Sequence, residues 1–139
     1  IPVAMKRCVV KLDDKKAASK LTRWQGIAEA AAKQSKRGII PQITKVMTFA
    51  QALEYSSTAQ VRLVPYELAE GMDRTREIIE QIQPGQDIAV FIGPEGGFDE
   101  AEIGKAIEAG MQPITLGKRI LRTETAGMTV LSILMYHLE

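Results

Sequence analysis

Five consecutive apolar residues, Ile88-Ala89-Val90-Phe91-Ile92, run without interruption into a glycine-rich turn, Gly93-Pro94-Glu95-Gly96-Gly97-Phe98. Such a run lacks the alternation of a half-solvated strand. It is the pattern of a strand buried on both faces, as in a parallel sheet covered by helices on each side. The rest of the chain agrees with that demand, because predicted strands alternate with predicted helices. Together they give an α/β fold with a mainly parallel sheet and helices on both faces.

Val3–Val10 is apolar enough for a strand, and Asp13 and Asp14 offer N-caps to a helix running to about Ser35. Ala17, Leu21, Trp24, Ala28 and Ala31 recur at helical spacing and form its expected buried stripe. Gly38 is the expected stop, and Pro41 prevents resumption. Ile43–Val46 is a candidate strand, Thr48 caps a short helix over Phe49–Tyr55, and Gln60–Val64 is another strand. Pro65–Arg74 reads as loop, and Thr75–Ile82 as a helix stopped by Pro84-Gly85. Asp99 and Glu102 form a D-x-x-E capping arrangement for a helix with Ile103, Ala106 and Ile107 inward and Gly110 closing it. Pro113–Leu116 is a short strand, Gly117–Leu121 a loop, and Thr123–Leu138 a largely apolar last helix.

Of the 139 residues, 45% are hydrophobic and 25% charged, the proportions of one globular domain. Collagen-like, disordered and disulfide-scaffold classes are excluded. No stretch approaches the roughly 18 apolar residues of a membrane-spanning helix. The N-terminus also lacks a signal-peptide layout, so a soluble, cytoplasmic protein without membrane association is expected. The single cysteine, Cys8, reads as a buried small hydrophobe. The chain opens on Ile1 rather than Met, inside a predicted strand, and is expected to be a fragment or processed chain beginning upstream. The net charge of +1 conceals an asymmetry. Residues 1–48 hold 11 Lys/Arg against 3 Asp/Glu, a net of +8, and residues 49–139 hold 7 against 14, a net of −7. A polyanionic partner for the first third follows.

Ligands of open parallel sheets collect at the carboxyl ends of strands, which directs attention to residues 93–98 and 116–125. Three glycines in five residues permit positive φ and let a ligand approach bare backbone; a tight turn needing glycine for geometry alone explains them equally well. The order is not that of a dinucleotide fingerprint, and no phosphate-binding G-x-x-x-x-G-K-[ST] occurs. In the second loop, Thr123 reads as an N-cap and Glu124 as a complement to the helix dipole. Lys118, Arg119 and Arg122 crowd a helix start that disfavours cations, which favours an anionic ligand or substrate there. His137 is the sole histidine and reads as a packing residue, and no Cys/His cluster points to a metal. The cations along the long helix, from Lys15 to Arg37, read first as a solvated face and second as an RNA-contacting surface.

I-G-P-E-G-G-F (Ile92–Phe98), followed eighteen residues later by L-G-K-R-I-L-R-T-E-T-A (Leu116–Ala126), resembles the signature pair of the RsmE family. That family comprises 16S ribosomal RNA uridine N3-methyltransferases of the SPOUT superfamily. R-C-V-V-K-L (Arg7–Leu12), W-Q-G-I-A-E-A-A-A-K-Q-S-K-R (Trp24–Arg37) and Pro41 are similar to a third family block, so the resemblance covers essentially the whole chain. It implies a C-terminal trefoil knot, which general rules of chain connection would have rejected. It further implies a homodimer formed through the knot, bent S-adenosyl-L-methionine between the knot loops, and 16S rRNA or the small ribosomal subunit as substrate. Residues 1–139 would be the methyltransferase domain, without its first strand and helix and without an upstream PUA-like RNA-binding domain.

On that resemblance, the cofactor residues are Ile92, Gly93, Pro94, Glu95, Gly96, Leu116, Gly117, Ile120, Leu121 and Thr123. Arg122 would stabilise the uridinate. Glu124 would accept the N3 proton, orient Arg122, or only complement the helix dipole. Arg7, Gln34 and Arg37, with Lys33 and Lys36, would contact RNA or the partner subunit. The alternatives are another SPOUT enzyme acting on tRNA or ribose 2′-hydroxyl, and a non-catalytic RNA-binding or dimerisation module.

Overall fold

In the computed structural model, which describes residues 1–9, 13–67, 69 and 71–139, eleven regular elements follow in chain order. Strand β1 (Val3–Ala4) is followed by helix α1 (Asp14–Gln34), strand β2 (Met47–Thr48), helix α2 (Phe49–Tyr55) and a 3-10 turn (Ser56–Thr58). Then come β3 (Val61–Pro65), α3 (Met72–Glu80), β4 (Ile88–Val90), α4 (Glu100–Glu108), β5 (Gln112–Ile114) and α5 (Thr123–Leu138). All pairing is parallel: β3 lies between β4 and β5, and β1 pairs with β2 in a separate two-stranded sheet.

Strand alternation sends the side chains of β3 to opposite faces. Val61 and Leu63 pack with Ile78 and Ile79 of α3, Ile114, and Val130 and Leu134 of α5. Val64 packs on the other side with Phe49 and Leu53 of α2, Phe98, and Ile103 and Ala106 of α4. Helices therefore cover both faces, as expected. Leu63, Val64, Ile114 and Val130 are fully buried. Each such side chain contributes about 1.5–3 kcal/mol relative to exposure.

The long helix is capped by Asp13, whose carboxylate accepts the Lys16 N–H at 2.8 Å. Its stripe is only half-buried at Ala17, Leu21, Trp24 and Ala28; Ala31 is exposed and Ala32 is buried instead. Lys36, not Gly38, ends it. Lys36 adopts φ +57°, Lys36 N–H donates to Lys33 O, and Arg37 N–H donates to Ala32 O, the paired bonds of a left-handed C-terminal cap.

Other boundaries differ for identifiable reasons. β1 stops at Ala4 because Met5–Cys8 closes a turn, with Cys8 N–H donating to Met5 O; the predicted end at Val10 lies outside the described residues. The strand expected at Ile43–Val46 forms at Met47–Thr48. Gln25 of α1 accepts the Ile43 N–H and donates to Pro41 O, which ties that backbone to the helix. α3 begins at Met72 rather than Thr75, its polar first turn braced by an Asp73–Arg76 ion pair at 2.8 Å. β5 shifts to Gln112–Ile114 because Thr115 turns the chain, its hydroxyl accepting the Gly117 N–H. Ile107 is 48% exposed, and Glu102, Ile103 and Ala106 form the buried face of α4.

Among the described residues, β1 and β4 each have one partner strand and so one open edge. A hollow of about 1200 Å³ is lined by Val3 and Met5 on one side and residues 87–92 on the other, which leaves β4 only half-buried.

Candidate active site

The chain leaves β3 for α3 on one face of the sheet and β4 for α4 on the other, and such a divergence opens a crevice at the carboxyl ends of the strands. A cavity of about 600 Å³ lies at this edge, within the range of small-molecule sites. Three segments build it: the end of β3 with Tyr66 and Glu67, residues 92–98 after β4, and the loop after β5 from Leu116 with the first turn of α5.

The glycine loop is held from inside the domain. Gly97 N–H donates to Pro94 O at 2.8 Å, and Gly97 adopts φ +69°, where any side chain would strain the turn. Phe98 tucks beneath. A Cβ on Gly93 would lie 3.0 Å from the Phe98 ring, so Gly93 allows a close approach and not merely a turn. Asp99 then starts α4 with a complete capping box: its carboxylate takes the Ala101 N–H, and Glu102 returns to the Asp99 N–H at 2.9 Å. The Lys6 ammonium, 2.9 Å away, and the Ala101 amide hold the Asp99 carboxyl below the ordinary aspartate value, against a small opposing effect of burial.

The second loop is joined to the first by one bond. Thr123 does not cap α5; Arg122 occupies the N-cap without a side-chain bond, and the Thr123 hydroxyl donates to Gly93 O at 3.0 Å. Residue 123 is the first helical position, where a hydroxyl need not serve its own helix and is free to reach β4's exit. Its bond fixes the spacing of the two loops, and with them the mouth of the cavity.

Of the expected cofactor residues, Ile92, Gly93, Pro94, Glu95, Leu116, Ile120, Leu121 and Thr123 line the cavity, together with Arg122 and Glu124. Gly96 and Gly117 stand outside the lining. Gly96 is backed by Arg7, and Gly117, at φ +113°, begins the second loop. Arg7 meets the outer side of the glycine loop, while Lys33 and Gln34 end α1 and Lys36 and Arg37 form its cap, none of them in the cavity. The sequence reading missed Tyr66 and Glu67, which it placed in an anonymous loop. The signal was their position just after a strand, at the same carboxyl edge: Tyr66 N–H donates to Ile114 O, extending the ladder and delivering Glu67 to the cavity. His137 packs, its Nε2 donating to Ile82 O at 3.0 Å.

Chemically, the lining combines apolar walls with three carboxylates, Glu67, Glu95 and Glu124, and two guanidinium groups, Arg119 and Arg122. It suits a ligand that has apolar surface and carries charged groups of both signs. Among the described residues there is no group of acidic, His or Cys side chains placed to hold a metal, and no helix long and apolar enough to cross a membrane.

The fold and this cavity define an α/β protein with a small-molecule site at the carboxyl edge of a parallel sheet, shaped by a glycine loop and a basic loop. Residues 1–135 match the RNA methyltransferase domain family, and the chain belongs to that family. It is 39% identical over 142 residues to the ribosomal RNA small subunit methyltransferase E of Bacillus subtilis, covering 100% of this chain and 56% of that protein. With the protein of the same description from Mesomycoplasma hyopneumoniae it shares 41% over 113 residues, or 81% of this chain and 47% of the relative. The chain thus spans about half the length of the curated relatives it matches. Among solved structures, a putative methyltransferase from Legionella pneumophila in complex with bound SAM superposes with a TM-score of 0.87 at 35% identity, over 97% of this chain and 53% of that one. A ribosomal RNA small subunit methyltransferase E from Neisseria gonorrhoeae bound to S-adenosyl methionine gives 0.80 at 34%, over 99% and 54%.

Proposed function

We propose that these residues form the catalytic domain of an S-adenosyl-L-methionine-dependent methyltransferase that methylates N3 of a uridine in 16S rRNA of the small ribosomal subunit. The observation that carries this reading is the cavity of about 600 Å³ that the two signature loops line together, with the Thr123–Gly93 bond joining them. The residues present fit the cofactor. Ile92, Leu116, Ile120 and Leu121 offer apolar walls to adenine, glycine at 93 lets the Phe98 ring pack against the loop, and the lining's excess of one carboxylate suits the cationic sulfonium and ammonium groups.

Bound S-adenosylmethionine supplies an electrophilic methyl group. The chain's own residues must bring uridine N3 to it and remove the N3 proton, so catalysis rests on orientation and charge stabilisation. Arg122 does the second, because a guanidinium is permanently charged and presents fixed donors to the developing uridinate oxygens. Glu124, two residues on, takes the N3 proton; if it instead orients Arg122 or only complements the helix dipole, the proton leaves to solvent water. The cationic end of α1, Lys33 with Lys36 and Arg37 beyond it, supplies phosphate contacts, with Gln34 beside them.

Two parts of the whole protein belong to the same reading. Among the described residues, the open edges of β1 and β4 flank a hollow with room for a further strand of the whole protein, which would also carry a PUA-like RNA-binding domain. The exposed apolar residues Met128, Leu131, Met135 and Tyr136 on α5 favour a homodimer formed there, at a C-terminal trefoil knot. The deciding experiment is mass spectrometry of 16S rRNA from cells lacking the gene. Loss of one N3-methyluridine, restored by the wild-type gene, supports the reading; persistence of every N3-methyluridine overturns it.

A further inference from the structure

The turn after β1 is fastened to the glycine loop at several points. Lys6 N–H donates to Glu102 Oε1 at 3.0 Å, and Lys6 Nζ pairs with Asp99 at 2.9 Å. Arg7 Nη1 donates to both Gly96 O and Phe98 O at 3.2 Å, and its Nη2 lies 3.9 Å from the Asp99 carboxylate. The approach depends on the absence of a side chain at residue 96: a Cβ there would stand 3.2 Å from Arg7 Cβ and 3.4 Å from Arg7 O. Gly96 and Arg7 lie outside the cavity, whereas Glu95 and Gly97 line it. Arg7 therefore grips the loop from behind. Two carbonyls that accept from one guanidinium fix the planes of the 96–97 and 98–99 peptides, which bracket Gly97 and Phe98 in the cavity wall.

We propose that Arg7 is a positioning residue for the cofactor loop: it holds the backbone of residues 96–98 in the conformation that receives S-adenosylmethionine, and it is not an RNA contact. This rests on the cofactor reading above. It separates Arg7 from the other described cations of residues 1–48, of which Lys6 reaches the head of α4 at Asp99 and Glu102 but no carbonyl of the loop. The lowered titration of Asp99 agrees, since Lys6 and Arg7 together keep the head of α4 charged and bonded.

The test compares Arg7→Ala and Arg7→Lys with wild type in the full-length protein, measuring cofactor Kd by calorimetry, KM for rRNA with its salt dependence, and the thermal midpoint. Loss of two charge-assisted bonds should weaken cofactor binding about tenfold in Arg7→Ala. Arg7→Lys, whose ammonium reaches one carbonyl, should recover part of that loss. KM for RNA and its salt slope should stay within about twofold of wild type. Unchanged cofactor affinity in Arg7→Ala overturns the proposal, as does a rise in RNA KM alone. Equal losses of cofactor affinity, RNA affinity and thermal midpoint in both variants indicate a merely structural role and overturn it too. If Arg7→Ala does not fold, Arg7→Lys decides alone: weakened cofactor binding at an unchanged midpoint supports positioning, and wild-type affinity overturns it. Failure of wild type to bind cofactor sinks the underlying reading, an outcome distinct from failure of the variants to differ.

Discussion

Two helices of this domain begin with an aspartate cap and share little else. At the head of α4, Asp99 has its capping box, a lysine, an arginine and a phenylalanine packed beside it, and the helix buries Ile103 and Ala106 against β3. At the head of α1, the Asp13 carboxylate meets Lys16 alone among the described residues, and the apolar stripe that follows is half-buried. The first is a region whose geometry is fixed from several directions, as a preorganised site requires. The second is cationic, loosely covered and placed away from the cavity, as suits a surface that gains its partners on binding. On the proposed function, residues 1–48 with their net +8 and residues 49–139 with their net −7 serve separate tasks.

The sharpest way to break this division is at Arg122. Its side chain is exposed, so Arg122→Ala should leave the fold intact and lower methylation by about 10²–10³-fold, as loss of a charge-stabilising donor does. Unchanged methylation together with unchanged cofactor affinity removes it from the mechanism. Next in size is the packing contrast. Leu63→Ala should lower the unfolding free energy by about 3 kcal/mol, and Leu21→Ala on α1 by less than about 1 kcal/mol, both read by urea denaturation. Similar losses at the two sites mean that α1 is packed as firmly as the core.

Neutralising Lys33, Lys36 and Arg37 together should weaken RNA binding and flatten its salt slope by about two to three, while cofactor affinity is unchanged. Equal loss of both functions refutes separate tasks. At Lys36 alone, glycine should relieve the left-handed backbone and raise stability by about 1 kcal/mol in thermal denaturation, while still weakening RNA binding. The smallest effect is in acid. Asp99 titrates below its ordinary value, so the stability it gains from Lys6 is present above the unfolded aspartate range near about pH 4 and is lost as pH falls through the lower folded value. Lys6→Ala should therefore differ from wild type at pH 6, and the two should converge towards pH 2 in acid titrations followed by circular dichroism.

How far the sequence revealed this arrangement depends on whether a signal was local. The apolar run at 88–92, the D-x-x-E box and the Thr48 cap are short-range devices, and α2 and α4 begin where such devices place them. Features set by distant partners were not legible. The Thr123 hydroxyl reads as a cap until Gly93 is seen beside it, and Arg7 reads as an RNA-facing cation until the loop carbonyls appear behind it. Ile43 reads as strand because nothing in sequence says that Gln25, eighteen residues earlier, claims its amide. Both signature loops were visible as composition, but the third wall, Tyr66 and Glu67, carries no motif and is recognised only by the strand it leaves.

The central claim, that cofactor and RNA occupy different parts of this domain, is tested most directly by following backbone amide resonances of the full-length protein during titration with S-adenosylmethionine. Shifts confined to residues 65–67, 92–98 and 116–126, with residues 14–37 unmoved, are the predicted result. Shifts centred on residues 14–37, or none at the two signature loops at saturating cofactor, would contradict it.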